Sequence, residues 1–252
     1  MGTGFLEVIT TAAQGGMPVA GAKITVSSGD EILYELVTDE NGATERVALE
    51  APPKELTLDE GFDGVPYSVC DVKAEAEGFI TVKIHDVEIL DTETSILPIY
   101  MTPAMLPGEN TDLHIPLHNL VAGGTRSMDV PPESTVPTTA RVLSEVIIPE
   151  FITVHLGRPN NPARNVRVPF TYYIKNCASH EIYSTWPPAS LEANIYCIIS
   201  LTLNRIFTEW YRVRGHNFDI TNSTAFDQNF VEGGQIFSTI DRMVDLIFNR
   251  YQ

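Results

Sequence analysis

Over the first hundred positions, apolar and polar residues alternate in short runs broken by turn residues. In Ala22-Lys-Ile-Thr-Val-Ser, Ile24 and Val26 fall on one face and Lys23 and Thr25 on the other, the period of a half-buried strand. Similar β-rich runs recur at residues 5–10, 22–26, 32–37, 44–49, 67–76, 82–89 and 95–100. Asp39-Glu-Asn-Gly42 predicts a tight reversal, with Asn41-Gly42 supplying positive φ angles, and Gly78 marks another. No long helical period interrupts this region, so residues 1–103 predict an all-β sandwich.

The pattern changes in the second half. Residues 147–156 read as a strand, 157–162 as a turn-rich loop, and 166–175 as a strand running into a short helix. A long helix follows from Pro188, with Ser190 or its predecessors as caps. Leu191, Ile195, Ile198, Thr202, Ile206 and Trp210 form its apolar stripe. Residues 219–224 suggest a short strand and loop. Ile236, Ile240, Met243, Val244, Ile247 and Phe248 predict a last amphipathic helix. The fold class is therefore multidomain, a β-sandwich followed by an α+β domain at 142–252. The segment 104–141, rich in Pro, Gly, Ser and Thr, reads as a linker.

Charge sharpens this division. The 252 residues carry 33 acids against 16 bases, a formal net charge of −17, which disfavours nucleic acid and anionic lipid as partners. Up to Pro103 there are 19 acids and 5 bases, net −14; from Leu143 onward there are 10 and 9, net −1. No apolar run is long enough for a membrane span. Cys70, Cys177 and Cys197 are widely spaced and predict buried free thiols, with no metal site and no cofactor. Asp39, Glu40 and Asn41 lack the full ligand ladder of a calcium loop.

Pro18-Val-Ala-Gly-Ala-Lys-Ile-Thr-Val, Thr38-Asp-Glu-Asn-Gly42 and Val72-Lys-Ala-Glu-Ala-Glu-Gly-Phe79 resemble the transthyretin-like or carboxypeptidase-regulatory-like domains. The resemblance implies a structural, spacer or adhesive module, because these motifs encode turns and strands. In the second half, Tyr173-Ile-Lys-Asn-Cys-Ala-Ser-His-Glu181, Trp186-Pro187, Leu191 and Ala193 resemble the stage II sporulation protein D (SpoIID)/LytB family in order and spacing. The strand Ile152-Thr-Val-His-Leu156 and the stretch Phe218-Asp-Ile-Thr-Asn-Ser-Thr-Ala-Phe-Asp-Gln228-Asn-Phe230 extend the resemblance.

That resemblance implies a lytic transglycosylase acting on peptidoglycan glycan strands, with Glu181 as catalytic acid and base. A carboxyl held partly desolvated at a helix entrance can protonate a glycosidic oxygen and take the proton back, and ring closure by the sugar's own 6-hydroxyl needs no second carboxylate. From the residues alone, Glu181 reads as a surface or N-cap carboxylate, which a helix start favours, and only the resemblance sets the catalytic reading beside it. Gln228 and Thr224 read either as loop caps or as groove residues holding sugar hydroxyls. Tyr183 is the aromatic expected to be exposed for sugar contact, whereas Trp186, Trp210, Tyr211 and Tyr172 also suit a core. Arg205, Arg212 and Arg214 read as a solvated helix face or, alternatively, as partners of the acidic first domain or of carboxylated glycan. Zinc-binding members carry Cys and His around the Gln motif, where this chain has Phe226 and Asp227, so no zinc site is carried over.

The alternative is a non-catalytic spore or cell-wall assembly protein that binds glycan. No secretory signal is visible in Met1-Gly2-Thr3-Gly4-Phe5-Leu6-Glu7. With the family, this suggests synthesis in the mother cell of a sporulating Gram-positive bacterium and incorporation into spore or wall. Other spore or cell-wall proteins are expected partners. The family's closing segment does not occur before Gln252, which leaves either a fragment or an incomplete groove.

Overall fold

The computed structural model describes residues 1–12, 15–59, 61–105, 108–118 and 143–250. In chain order the strands and helices are β1 (Gly2–Ala12), β2 (Met17–Pro18), β3 (Lys23–Ser28), β4 (Glu31–Val37), β5 (Val47–Ala51), β6 (Ser68–Glu75), β7 (Thr81–Ile89), β8 (Thr94–Tyr100), β9 (Asn110–His114), β10 (Phe151–His155), β11 (Asn165–Pro169), α1 (Phe170–Glu181), α2 (Pro188–Phe207), β12 (Ile220–Thr221), β13 (Ile236–Phe237) and α3 (Ser238–Asn249). They divide into two compact units. The first comprises Met1–Leu117, Tyr183–Trp186 and Glu232–Asp241. The second comprises the described residues within His118–Ile182, Pro187–Val231 and Arg242–Gln252.

The first unit is a β-sandwich. One sheet runs β13-β8-β1-β2, with β5 also pairing β1, and the other runs β4-β3-β6-β7-β9. Period-two alternation sets the buried face of each strand. Leu6, Val8 and Ala12 of β1 face inward, as do Ile24 and Val26 of β3, Cys70, Val72 and Ala74 of β6, and Val82 and Ile84 of β7. Each fully buried aliphatic side chain of this set contributes ~1.5–3 kcal/mol, so slipping any strand by one residue would forfeit several at once.

Pro98 sits inside β8 without breaking it. The partner β13 covers Ser95 and Ile96, so among the described residues β8 is an edge on that side from Leu97 onward and tolerates a residue without an N–H.

The turn at Asp39 has a fixed chemistry. Asp39 Oδ1 accepts the N–H groups of Asn41 and Ala43 at 2.9 Å each, which holds its carboxyl below the usual range. Of the Asn41-Gly42 pair, only Gly42 is left-handed, with φ 76°. A Cβ there would come within 2.3 Å of the Thr10 carbonyl oxygen. Gly78 makes its reversal with φ 80°.

Besides the two-residue β2, two strands escape a hydrophobic reading. Asn110–His114, inside the segment expected as linker, forms β9 and pairs in parallel with β7; all five residues are exposed, so no alternation marks it. The remainder of that expected linker from residue 119 lies outside the described residues. At the other end, Ile236 and Phe237 pair with Ile96 and Ser95 as a strand instead of opening the last helix. Helix α3 starts at Ser238, where the Glu93 carboxylate accepts the Thr239 N–H at 3.2 Å and the Thr239 hydroxyl at 2.7 Å. A carboxylate from a distant loop thus serves as the cap.

The second unit holds a three-stranded sheet, β11-β10-β12, with α1 and α2. Pro187 precedes α2 and Pro188 occupies its first turn, so Ser190 lies within the helix and no side chain caps it. The helix ends at Phe207, so Trp210, expected as the last residue of its apolar stripe, lies in the turn beyond it. All three cysteines are free. Cys70 and Cys177 are buried, and burial pushes Cys70 up to about 12. Cys197 is exposed, contrary to expectation, because its position on α2 falls off the buried Leu191, Ile195 and Ile198 stripe.

Candidate functional site

Strand β11 ends at Pro169, and the chain turns there into α1. The first helical N–H, that of Phe170, donates to the Glu150 carbonyl at 3.0 Å. Phe170, Tyr173, Ile174, Cys177 and Ala178 recur at helical spacing and are fully buried. Glu181 is the last residue of α1, and Ile182 beyond it is already extended. The carboxylate therefore sits at the exit of the helix and not at an entrance, the reverse of the sequence expectation. Negative peptide-dipole ends gather there, which is the opposite electrostatic bias to that of a helix start.

A loop from the far side of the sequence fastens this helix end. The Asn229 backbone N–H donates to Glu181 Oε1 at 2.7 Å, and the Asn229 side-chain amide donates to the His180 carbonyl at 3.2 Å. One turn earlier, Asn176 accepts the Val231 N–H and donates to the Val231 carbonyl, both at 2.8 Å. Asn176 is wholly buried, and this two-way clasp satisfies both ends of its amide. Glu181 is half-buried. Burial, reinforced by the nearby Glu181 charge, pushes Cys177 well up.

Gln228 is also drawn into the interior, 3% exposed. Its Oε1 accepts the Tyr173 hydroxyl at 3.0 Å and the Thr202 hydroxyl at 2.8 Å, while Nε2 donates to the Ile198 carbonyl at 3.0 Å. The side chain ties the loop to α1 and α2 instead of facing a sugar. Thr224 is exposed on the loop after β12.

Tyr183 is 6% exposed, against the expectation of an exposed aromatic, and belongs to the first unit. There it meets the Trp186 ring edge-on at 6.3 Å, and burial with the nearby Glu88 raises its phenol. Glu181 and the Gln228 segment are thus joined through Asn229, while Thr224 is at the surface and Tyr183 is enclosed.

Asp227 anchors the same loop more deeply. Its Oδ1 accepts from Arg205 Nε at 2.7 Å. Its Oδ2 accepts from the Tyr211 hydroxyl at 2.6 Å, the Thr221 hydroxyl at 2.7 Å and the Thr221 N–H at 3.0 Å. Burial and the Asp227 charge push the Tyr211 phenol up. Of the basic trio only Arg212 is exposed, and all three are engaged. The Arg205 and Arg214 guanidiniums stack on Trp210, at 4.5 and 3.9 Å from its ring centroid, and Arg212 pairs with Asp219 at 2.7 Å.

Sequence reasoning passed over Asn176, Asp227 and Asn229. The available signal was an amide on the buried face of α1 and a carboxylate beside Gln228, polar groups that need partners wherever they are buried.

Among the described residues, no group of three or more His, Cys, Asp or Glu is arranged to hold a metal ion. Among them also, no helix is long and apolar enough to cross a membrane. Both rings of His85 and His114 stack at 4.6 Å beside Asp71 and Asp86, and His155 stacks on Phe218 while bonding Asn165.

No family model matches the chain, and no curated protein matches it. Among solved structures it is similar to the TIE protein of Bacillus anthracis, at 16% identity over 41% of this chain and 17% of that one, TM-score 0.28. It is also similar to the 5-hydroxyisourate hydrolase of Klebsiella pneumoniae, at 18% identity over 40% of this chain and 91% of that one, TM-score 0.27. A third similarity is to the minor pilin GBS52 of Streptococcus agalactiae, at 15% identity over 44% of this chain and 48% of that one, TM-score 0.27.

Proposed function

We propose that the second unit is a SpoIID-like lytic transglycosylase acting on peptidoglycan glycan strands, with Glu181 as acid and then base. The observation that carries this reading is the fixed, half-buried Glu181 carboxyl at the exit of α1, gripped by the Asn229 amide within a motif order that resembles the family.

In the reaction, Glu181 gives its proton to the glycosidic oxygen, and the C1–O bond breaks as that oxygen leaves as a hydroxyl. The oxocarbenium-like C1 is captured by the 6-hydroxyl of the same sugar, whose proton returns to Glu181. No water is consumed, and a 1,6-anhydro sugar results.

Thr224, exposed on the same loop, is the residue assigned to a sugar hydroxyl. Gln228 is a positioning residue, because its amide is spent on Tyr173, Thr202 and Ile198. Tyr183, enclosed in the first unit, is given no stacking role. The β-sandwich serves as a transthyretin-like spacer or adhesive module in the spore or cell wall of a Gram-positive bacterium.

The test is release of anhydromuramyl fragments from purified sacculi. Glu181→Gln keeps an oxygen for the Asn229 N–H and removes the transferable proton, so release should fall ~10²–10⁴-fold. Sacculus binding without release by the wild-type chain would instead favour a non-catalytic wall-assembly protein.

A further inference from the structure

The sandwich of the first unit carries a concave feature of its own. Where β4 ends one sheet and β5 flanks the other, a cleft of about 560 Å³ opens, within the range of ligand sites. Leu33, Leu49, Ala51, Val69 and Ile89 supply apolar lining, and no Lys, Arg or His side chain lines it. Two acids, Glu31 and Glu50, also line it, and both are exposed.

The two sheet margins differ in what they offer. On β5, the carbonyls of Ala48 and Glu50 are taken by the Tyr34 hydroxyl at 2.7 Å and the Ser68 hydroxyl at 2.5 Å. β4 ends its sheet, and among the described residues it pairs with β3 alone. Ile32 and Val37 stand exposed along it, at 60% and 65%. An edge strand with exposed apolar residues is a template for a further strand. Of the two charges on β4, Glu35 is paired with Lys23 at 2.7 Å, so Glu31 is the one left to repel acidic chains and admit basic ones.

We infer that the cleft and the β4 edge form a binding site for an extended basic peptide. Its backbone adds to β4, one bulky apolar side chain fills the cleft, and neighbouring Lys or Arg side chains meet Glu31 and Glu50. The net −14 over residues 1–103 draws such a ligand in and makes the encounter salt-sensitive. A free amphiphilic cation would satisfy the cleft and its rim but would leave the β4 backbone groups to water, whereas a peptide supplies its own N–H and C=O groups at strand spacing.

The test uses the full chain and a short capped peptide alternating Lys with Val around a central Phe, followed by calorimetry at low and high salt. Saturable binding is expected. It should weaken at least about tenfold in the Glu31→Lys/Glu50→Lys variant and at high salt. It should be lost for the same peptide N-methylated along its outward-facing backbone edge and for its Glu-for-Lys counterpart. Ala48→Trp, which fills the cleft, should also abolish it. The two charge reversals lie at exposed positions, so they keep the test decisive if the Trp variant does not fold. No saturable binding, undiminished binding by the charge-reversed variant, or equal binding of the N-methylated peptide would overturn the inference. An alkylammonium that binds as tightly as the peptide would overturn it in favour of a small-molecule site.

Discussion

The two units bury their polar side chains in different ways. In the sandwich these are mostly short hydroxyls bonded to backbone. Thr10 and Thr38 both donate to the Val19 carbonyl, the Thr44 hydroxyl accepts the Val8 N–H, and Ser95 donates to the Glu88 carbonyl. Such hydroxyls patch a gap in a ladder and leave the period-two pattern intact. In the second unit, Asn176, Gln228 and Asp227 join elements 22 to 55 residues apart through amides and a buried carboxylate. The sandwich is specified by a repeating pattern, whereas the second unit also needs particular residues whose partners cannot be exchanged.

The largest consequence of that contrast is at Asp227. Asp227→Ala leaves Arg205, Tyr211 and Thr221 without their shared acceptor and should cost ~3–5 kcal/mol by chemical denaturation. Gln228→Leu removes the acceptor that the Tyr173 and Thr202 hydroxyls share, while Thr202 keeps the Ile198 carbonyl at 2.8 Å, and should cost ~1–3 kcal/mol in the same assay. In the sandwich the counterpart is conformational. Gly42→Ala meets a left-handed backbone and the Thr10 carbonyl, and should cost at least ~1–2 kcal/mol. Smallest of all is the exposed Lys23–Glu35 pair, where both partners are shifted toward their charged forms. Removing it with Lys23→Ala should leave the transition where it was at physiological salt. A Gln228→Leu variant as stable as the parent would erase the distinction between the units.

The same contrast explains what could be read from the chain. Seven runs of alternating residues anticipate seven sandwich strands, because each buries one face and exposes the other. β9 escaped because Asn-Thr-Asp-Leu-His is polar on both faces and depends on pairing with β7. β13 escaped because Ile236 and Phe237 suit a helix pattern until β8 claims them. Motif order pointed to Glu181 and Gln228, but not to the direction in which either side chain is used. Only the fold shows that Glu181 closes α1 instead of opening a helix, and that Gln228 turns inward. Tyr183 shows the same limit, since its neighbours in sequence do not reveal that the first unit encloses it.

The central claim is intramolecular cleavage through Glu181, and solvent-oxygen incorporation tests it most directly. Sacculi digested by the wild-type chain in ¹⁸O-labelled water should yield fragments ending in an anhydro sugar with no solvent oxygen at C1. Glu181→Gln should yield none of these fragments. Fragments carrying ¹⁸O at a reducing end would contradict the account, as would undiminished release by the Gln variant.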